Sequence, residues 1–186
     1  MSPIRRAFVF SVALSLIAIL SVAQVRVPND SQPALALWSV YFSPHGGCTD
    51  AIVAAVGKAQ RTVLVQAYSF TSAPIAKAVV DAHKRGVKVR VILDKSNRRA
   101  KYSAADFLIH AGIPTSIDAA HAIAHNKVMV IDSETVITGS FNFTRAAEEH
   151  NAENLLIVRD KSLATRYESN WQDHERHSKP NSENRR

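Results

Sequence analysis

A single cysteine, Cys48, stands in a chain of 186 residues. No disulfide can form within the chain, so an apolar core must hold the fold. No internal repeat is long enough to suggest duplication, and the length leaves no room for two full domains. What remains is one α/β core, in keeping with a composition 46% hydrophobic and 21% charged. Acidic residues are outnumbered, 16 against 23 Lys and Arg, giving a formal charge of +7. That balance favours polyanionic partners, nucleic acid or anionic lipid, without choosing between them.

One apolar stretch bears on membranes. Ala7 to Leu20 is broken only by Ser11 and Ser15, follows Arg5 and Arg6, and leads to the small residues Ser21-Val22-Ala23. Residues 1–23 read as a secretory signal peptide, which implies a periplasmic or secreted protein. An uncleaved anchor that would bring the protein to a membrane is the alternative. Residues 24–36, with Pro28 and Pro33 among polar neighbours, read as a linker. The domain proper spans 37–177, and the polar residues 178–186 read as a disordered tail.

Within the domain, "LWSVYF" from Leu37, "TVLVQAYSF" from Thr62 and "VKVRVILD" from Val87 read as strands. Between them lie two helical patterns. The first has Ile52, Val53 and Val56 on one face with Thr49 or Asp50 as its cap; the second is capped by Ser72 and ended by Gly86. A helix over 104–111, a strand near 115–117, two strands within 126–139, one over 153–159 and a closing helix over 161–176 complete the reading. The order predicts an α/β fold with a mixed sheet flanked by helices. Trp38 and Trp171 read as packing residues.

The run "HNKVMVID", residues 125–132, carries polar groups where a buried strand should not. Alternation on a strand puts His125 and Lys127 on one side and Val128 and Val130 on the other. Asp132 has the opposite parity to His125 and opens "DSET", a hairpin turn, so a structural hydrogen-bonding role is expected. Beyond the turn, Ser140 and Asn142 are two apart, and Gly139 permits close approach of backbone or ligand. Together these groups suit a phosphodiester. Lys127 and Asn142 would stabilise charge that grows as a nucleophile adds, and His125 would act as nucleophile or acid.

His125-Asn126-Lys127, Asp132 and Gly139-Ser140-Phe141-Asn142 resemble the HxK…D…GSxN signature of the phospholipase D superfamily. The stretch from Val63 to Asp94 is similar to the first half of such a domain. The resemblance implies a phospholipase D-like fold, a phosphohistidine formed on His125, phosphate held by Lys127 and Asn142, and Ser140 nearby. It also implies that Glu153 supports the histidine's other nitrogen, although Glu148 and Glu149 are close in sequence. Such a site needs two motifs and this chain has one, which implies a homodimer with two His125 side chains facing across a two-fold axis. The implied activity is an exported, metal-independent endonuclease cutting DNA with little sequence preference, RNA being left open. A phospholipase or cardiolipin-type hydrolase is the alternative.

The basic residues Lys95, Arg98, Arg99 and Lys101 are candidates for nucleic-acid backbone contacts. His121 and His125 are four apart, as zinc ligands on a helix are, but "HNKVMVID" reads as a strand and no third ligand has fitting spacing. No metal or other cofactor is expected.

Overall fold

The computed structural model describes residues 37–98 and 103–181. The leader and linker readings lie outside the described residues, as does the tail beyond 181. The described residues form one mixed sheet with helices on both faces, as the element order predicts.

Its strands are β1 (Leu37–Ser43), β2 (Thr62–Ala67), β3 (Lys88–Asp94), β4 (Thr115–Asp118), β5 (Lys127–Ile131), β6 (Thr135–Gly139), β7 (Glu153–Arg159) and β8 (Lys179–Pro180). Across the sheet they run β1-β7-β6-β5-β2-β3-β4-β8. The pairs β2–β3 and β3–β4 are parallel and the others antiparallel. Helices α1 (Cys48–Gly57), α2 (Ala73–Lys84), α3 (Ala105–His110), α4 (Arg145–Glu149) and α5 (Lys161–His177) connect or flank them. The parallel pairs need crossovers, which α2 and α3 supply.

Alternation along the central strands feeds two cores. Val63, Val65, Val89, Val91, Met129 and Ile131 pack with Ile52 and Val56 of α1 and Ile75 and Val79 of α2. Leu64, Ile92, Val128, Val130 and Val136 face the other way, onto Ala164 and Trp171 of α5. Coverage on both faces explains why β2 and β5 are apolar almost throughout. Trp171 is fully buried and its Nε1–H donates to the Val65 carbonyl oxygen at 2.9 Å. Arg90 reaches over its ring, 4.6 Å from the centroid, and pairs with Glu175.

Four expectations change. Trp38 is 68% exposed, because β1 is an edge strand lying beyond the apolar cluster that α5 forms on its face. Neither Thr49 nor Asp50 caps α1: the cap position is Gly47, and the Glu148 carboxylate accepts from Gly47 N–H at 3.1 Å and Thr49 N–H at 2.7 Å. Ser72 holds the cap position of α2 but its side chain makes no capping bond. The start of the tail is ordered as β8, paired with β4. Cys48 is buried, and burial with Glu148 nearby pushes its thiol up to about 11, which leaves it chemically inert.

Candidate active site

The sheet brings the motif residues to one end. Antiparallel pairing sets the start of β5 beside the end of β2, with Ala67 opposite Lys127. The end of β6 and the start of β7 follow in the same row, with Gly139 opposite Leu155. The carboxyl ends of β3 and β4 share that rim, a common place for ligand sites in α/β sheets.

The β5–β6 hairpin fixes the register. Asp132 and Ser133 both have φ of 56°, left-handed residues in the three-residue connection 132–134 between paired Ile131 and Thr135, where Glu134 N–H donates to the Ile131 carbonyl oxygen at 3.0 Å. The Asp132 carboxylate accepts from the backbone N–H groups of Gln60, Arg61 and Thr62 at 2.9, 2.7 and 2.9 Å. It thus ties the hairpin to the start of β2. Burial would push its pKa up, but those hydrogen bonds outweigh burial and hold it below the ordinary carboxylate value. The structural role expected for Asp132 is the one observed.

His125 lies in the loop just before β5 rather than on the strand, and its side is exposed. Lys127, the first residue of β5, is buried. The two differ in exposure, yet both side chains lie against one ring, that of Tyr68. They are also linked by a hydrogen bond from Lys127 Nζ to the His125 carbonyl oxygen at 3.0 Å. Tyr68, which the motif does not name, packs its ring 4.6 Å from the imidazole, and Lys127 Nζ sits 5.2 Å from the same ring. Its position just past β2, opposite the start of β5, is the only sign of it in the sequence. Burial lowers the Lys127 pKa, while the negative charge of Glu153 acts to raise it. An ammonium has three donors, so two remain for an anion.

Gly139 has φ of 141°, and a Cβ there would lie 2.3 Å from the Asn154 carbonyl oxygen. The close approach is made by backbone of β7. It lets Ser140 N–H and Phe141 N–H both donate to Asn154 O at 3.1 Å. Ser140 Oγ accepts from the Asn154 backbone and side-chain N–H groups at 3.0 and 3.2 Å, leaving its own proton to donate elsewhere. Asn142 is flanked by the fully buried Phe141 and Phe143, which anchor the turn. Its Oδ1 is buried with no hydrogen-bond partner, a state that costs about 1–3 kcal/mol in a finished core and is tolerated where a ligand arrives.

Three nearby glutamates now separate. Glu148 is held by the start of α1, and Glu149 pairs with Arg145 at 2.7 Å. Glu153 accepts from Asn151 Nδ2 at 3.2 Å and is the carboxylate whose charge acts on Lys127. Of the basic group, Lys95 Nζ donates to the His121 carbonyl oxygen at 3.1 Å and Arg98 is exposed, while Arg99 and Lys101 lie outside the described residues. His121 does not pair with His125; it turns toward Asp118. The grooves of about 600 and 800 Å³ are lined by other residues, around Trp38 and Ala55 and around Val80 and Phe107 respectively. An exposed imidazole beside a buried cation is suited to attack on phosphorus with charge stabilisation close by.

Known proteins resemble this chain in sequence and in fold. Residues 52–174 match the family described as "Cardiolipin synthase, PLD-like domain". A phospholipase D of Rickettsia conorii is 45% identical over 152 residues, covering 82% of this chain and 76% of its own. A mitochondrial cardiolipin hydrolase of Xenopus tropicalis is 34% identical over 122 residues, 63% of this chain and 58% of its own. Among solved structures, Nuc from Salmonella typhimurium, a phospholipase D family member, superposes with a TM-score of 0.76 at 36% identity, covering 78% of this chain and 97% of Nuc. NucT from Helicobacter pylori gives 0.73 at 25% identity, covering 78% and 99%. By matched span, identity and fold, this chain belongs to the phospholipase D superfamily and is a phosphodiesterase of that family.

Proposed function

We propose that this protein is an exported endonuclease that hydrolyses DNA phosphodiesters with little sequence preference, RNA also being admitted by the chemistry. The observation that carries the reading is the openness of the site. An exposed His125 stands beside buried Lys127, and the full HxK…D…GSxN signature occurs once in the chain, since His177-Ser178-Lys179 repeats the HxK spacing with no Asp or GSxN after it, so an extended polymer can reach the site and a second copy can complete it. The excess of positive charge supports a polyanionic substrate. Nuc and NucT, matched over nearly their whole lengths, support a one-domain enzyme.

In the proposed reaction two copies meet with their His125 side chains facing. One neutral imidazole attacks phosphorus; a P–N bond forms as the P–O bond to the leaving oxygen breaks. The imidazolium of the second copy gives its proton to that oxygen. The same imidazole then takes a proton from water, the water oxygen attacks phosphorus, and the P–N electron pair returns to the first His125. Lys127, Ser140 and Asn142 bind the phosphoryl oxygens throughout, and Glu153 orients the reacting imidazole. No step uses a metal.

A second reading, hydrolysis of lipid phosphodiesters, is favoured by the names of the Rickettsia phospholipase D and the Xenopus cardiolipin hydrolase. The test sets the two side by side: supercoiled plasmid and vesicles of phosphatidylcholine with cardiolipin, each with the purified protein and His125→Ala. Plasmid cutting that is lost in the variant, with vesicles intact, supports the nuclease. Release of headgroup with plasmid intact overturns it. Cutting should continue in EDTA at a temperature where the circular-dichroism spectrum is unchanged. Sizing tests the pair: a monomer as the active species contradicts the shared site.

A further inference from the structure

At the same end of the sheet, across the 119–124 loop from His125, four side chains converge that the phosphodiester chemistry leaves unused. Asp118 ends β4 and is wholly buried. Its Oδ1 accepts from Ala120 N–H at 3.0 Å. Its Oδ2 faces three imidazoles: His174 Nδ1 at 2.7 Å, His177 Nε2 at 3.3 Å and His121 Nε2 at 3.7 Å. The three rings stand 5.0, 5.2 and 5.3 Å apart, centroid to centroid. All four donor atoms lie within 4.8 Å of one another.

Protons satisfy this group poorly. A carboxylate oxygen has about two lone-pair sites, fewer than the three nitrogens turned toward it, and three charged rings at such spacing would repel. One divalent cation would instead bond every nitrogen and the carboxylate while each imidazole stays neutral. Zinc bonds of about 2.0–2.1 Å in a tetrahedron put ligand atoms roughly 3.3 Å apart, and the three Asp118–histidine distances straddle that value. Spacing agrees. Asp118 and His121 are three apart where β4 runs into the loop, and His174 and His177 are three apart on one face of the last turn of α5. Nitrogen and carboxylate donors in a four-fold set suit zinc rather than magnesium or calcium.

We propose that Asp118, His121, His174 and His177 form a structural zinc site that fastens the end of α5 to β4. Four protein ligands leave no open coordination position, so the ion holds structure and does not activate water. The loop it would fix is already gripped beside the site, by Lys95 on the His121 carbonyl and by Asp94 Oδ2 on Ala124 N–H at 2.8 Å. His125 follows Ala124 directly, so the ion would also steady the approach to the nucleophile. None of this depends on which phosphodiester is cut.

The test uses tag-free protein freed of metal with a chelator and titrated with zinc alone, with Co²⁺ as a visible stand-in. Expected are one zinc per chain, the intense visible band of tetrahedral cobalt, and a rise in Tm of roughly 5–10 °C at zinc about 100 times Kd. His121→Ala, a change at a half-exposed loop residue that should leave the fold intact, is expected to weaken zinc binding more than about 100-fold, beyond the loss typical of outer-shell partners. Wild-type binding weaker than about 10 μM, or tight binding unaffected by His121→Ala, would overturn the site and leave a proton-sharing cluster.

Discussion

Lys127 Nζ donates to the carbonyl oxygen of His125 at 3.0 Å, so the buried ammonium and the exposed imidazole two residues away form one hydrogen-bonded unit. The bond uses a single donor of the ammonium and leaves two for an anion. Burying a charge without a carboxylate partner disfavours the fold, and the lowered pKa of Lys127 records that cost.

Lys127→Met keeps the length of the side chain and removes the buried charge. Hydrolysis is expected to fall about 100- to 1000-fold, the loss usual for one group that stabilises a developing oxyanion. Thermal stability should be unchanged or higher. Kinetics and a melting curve on the same sample check this; a large drop in Tm would assign Lys127 to the fold instead.

The alkaline limb of activity reports the same lysine. Burial holds the Lys127 pKa below its ordinary 10.5, so the cation that binds phosphate is lost as pH rises through that lowered value. Glu153 opposes the shift, and Glu153→Gln removes its charge. The limb of kcat/KM is expected to move to lower pH in the variant. Movement to higher pH would contradict the electrostatic link between β5 and β7.

Asp132→Asn tests the hairpin anchor. Asparagine tolerates the left-handed backbone found there, so the change removes charge and one acceptor with little strain. A loss of roughly 1–3 kcal/mol is expected from urea unfolding near neutral pH. The folded pKa of Asp132 is depressed from 3.8, so its contribution is present above that unfolded value and disappears as pH falls through the depressed one. Wild type and variant should therefore converge in stability only at pH below 3.8, as the depressed folded value is passed.

Gly139→Ala sets a Cβ against the Asn154 carbonyl oxygen at 2.3 Å and at an unfavourable φ. More than about 3 kcal/mol of destabilisation is expected, with displacement of Ser140. Near-normal stability would mean β7 can move away from the turn.

Much of this molecule is legible in the order of its residues. The parallel β2-α2-β3 unit shows as apolar runs split by an amphipathic stretch, and the turn residues from Asp132 announce the hairpin. The motif spacing picks out Lys127 and Asn142 because both sit at fixed distances from strand ends. Other features depend on pairings that only the fold creates. Glu148 caps a helix about a hundred residues earlier in the chain, which no local pattern encodes. Tyr68 meets His125 because β2 and β5 are neighbours. Trp38 reads as core by its apolar side chain, yet its strand lies at the edge, beyond the reach of α5. His174 and His177 look like surface histidines until α5 docks and sets them against Asp118.

The central claim is that His125 becomes covalently bonded to phosphorus. The measurement is an acid-free denaturing quench of enzyme mixed with a short oligonucleotide, followed by digestion and mass spectrometry of the peptide holding residues 125–127. A nucleotide-sized mass increase on that peptide, absent in His125→Ala, is the result expected. Turnover of the oligonucleotide by His125→Ala at the wild-type rate, with no adduct in either protein, would contradict it.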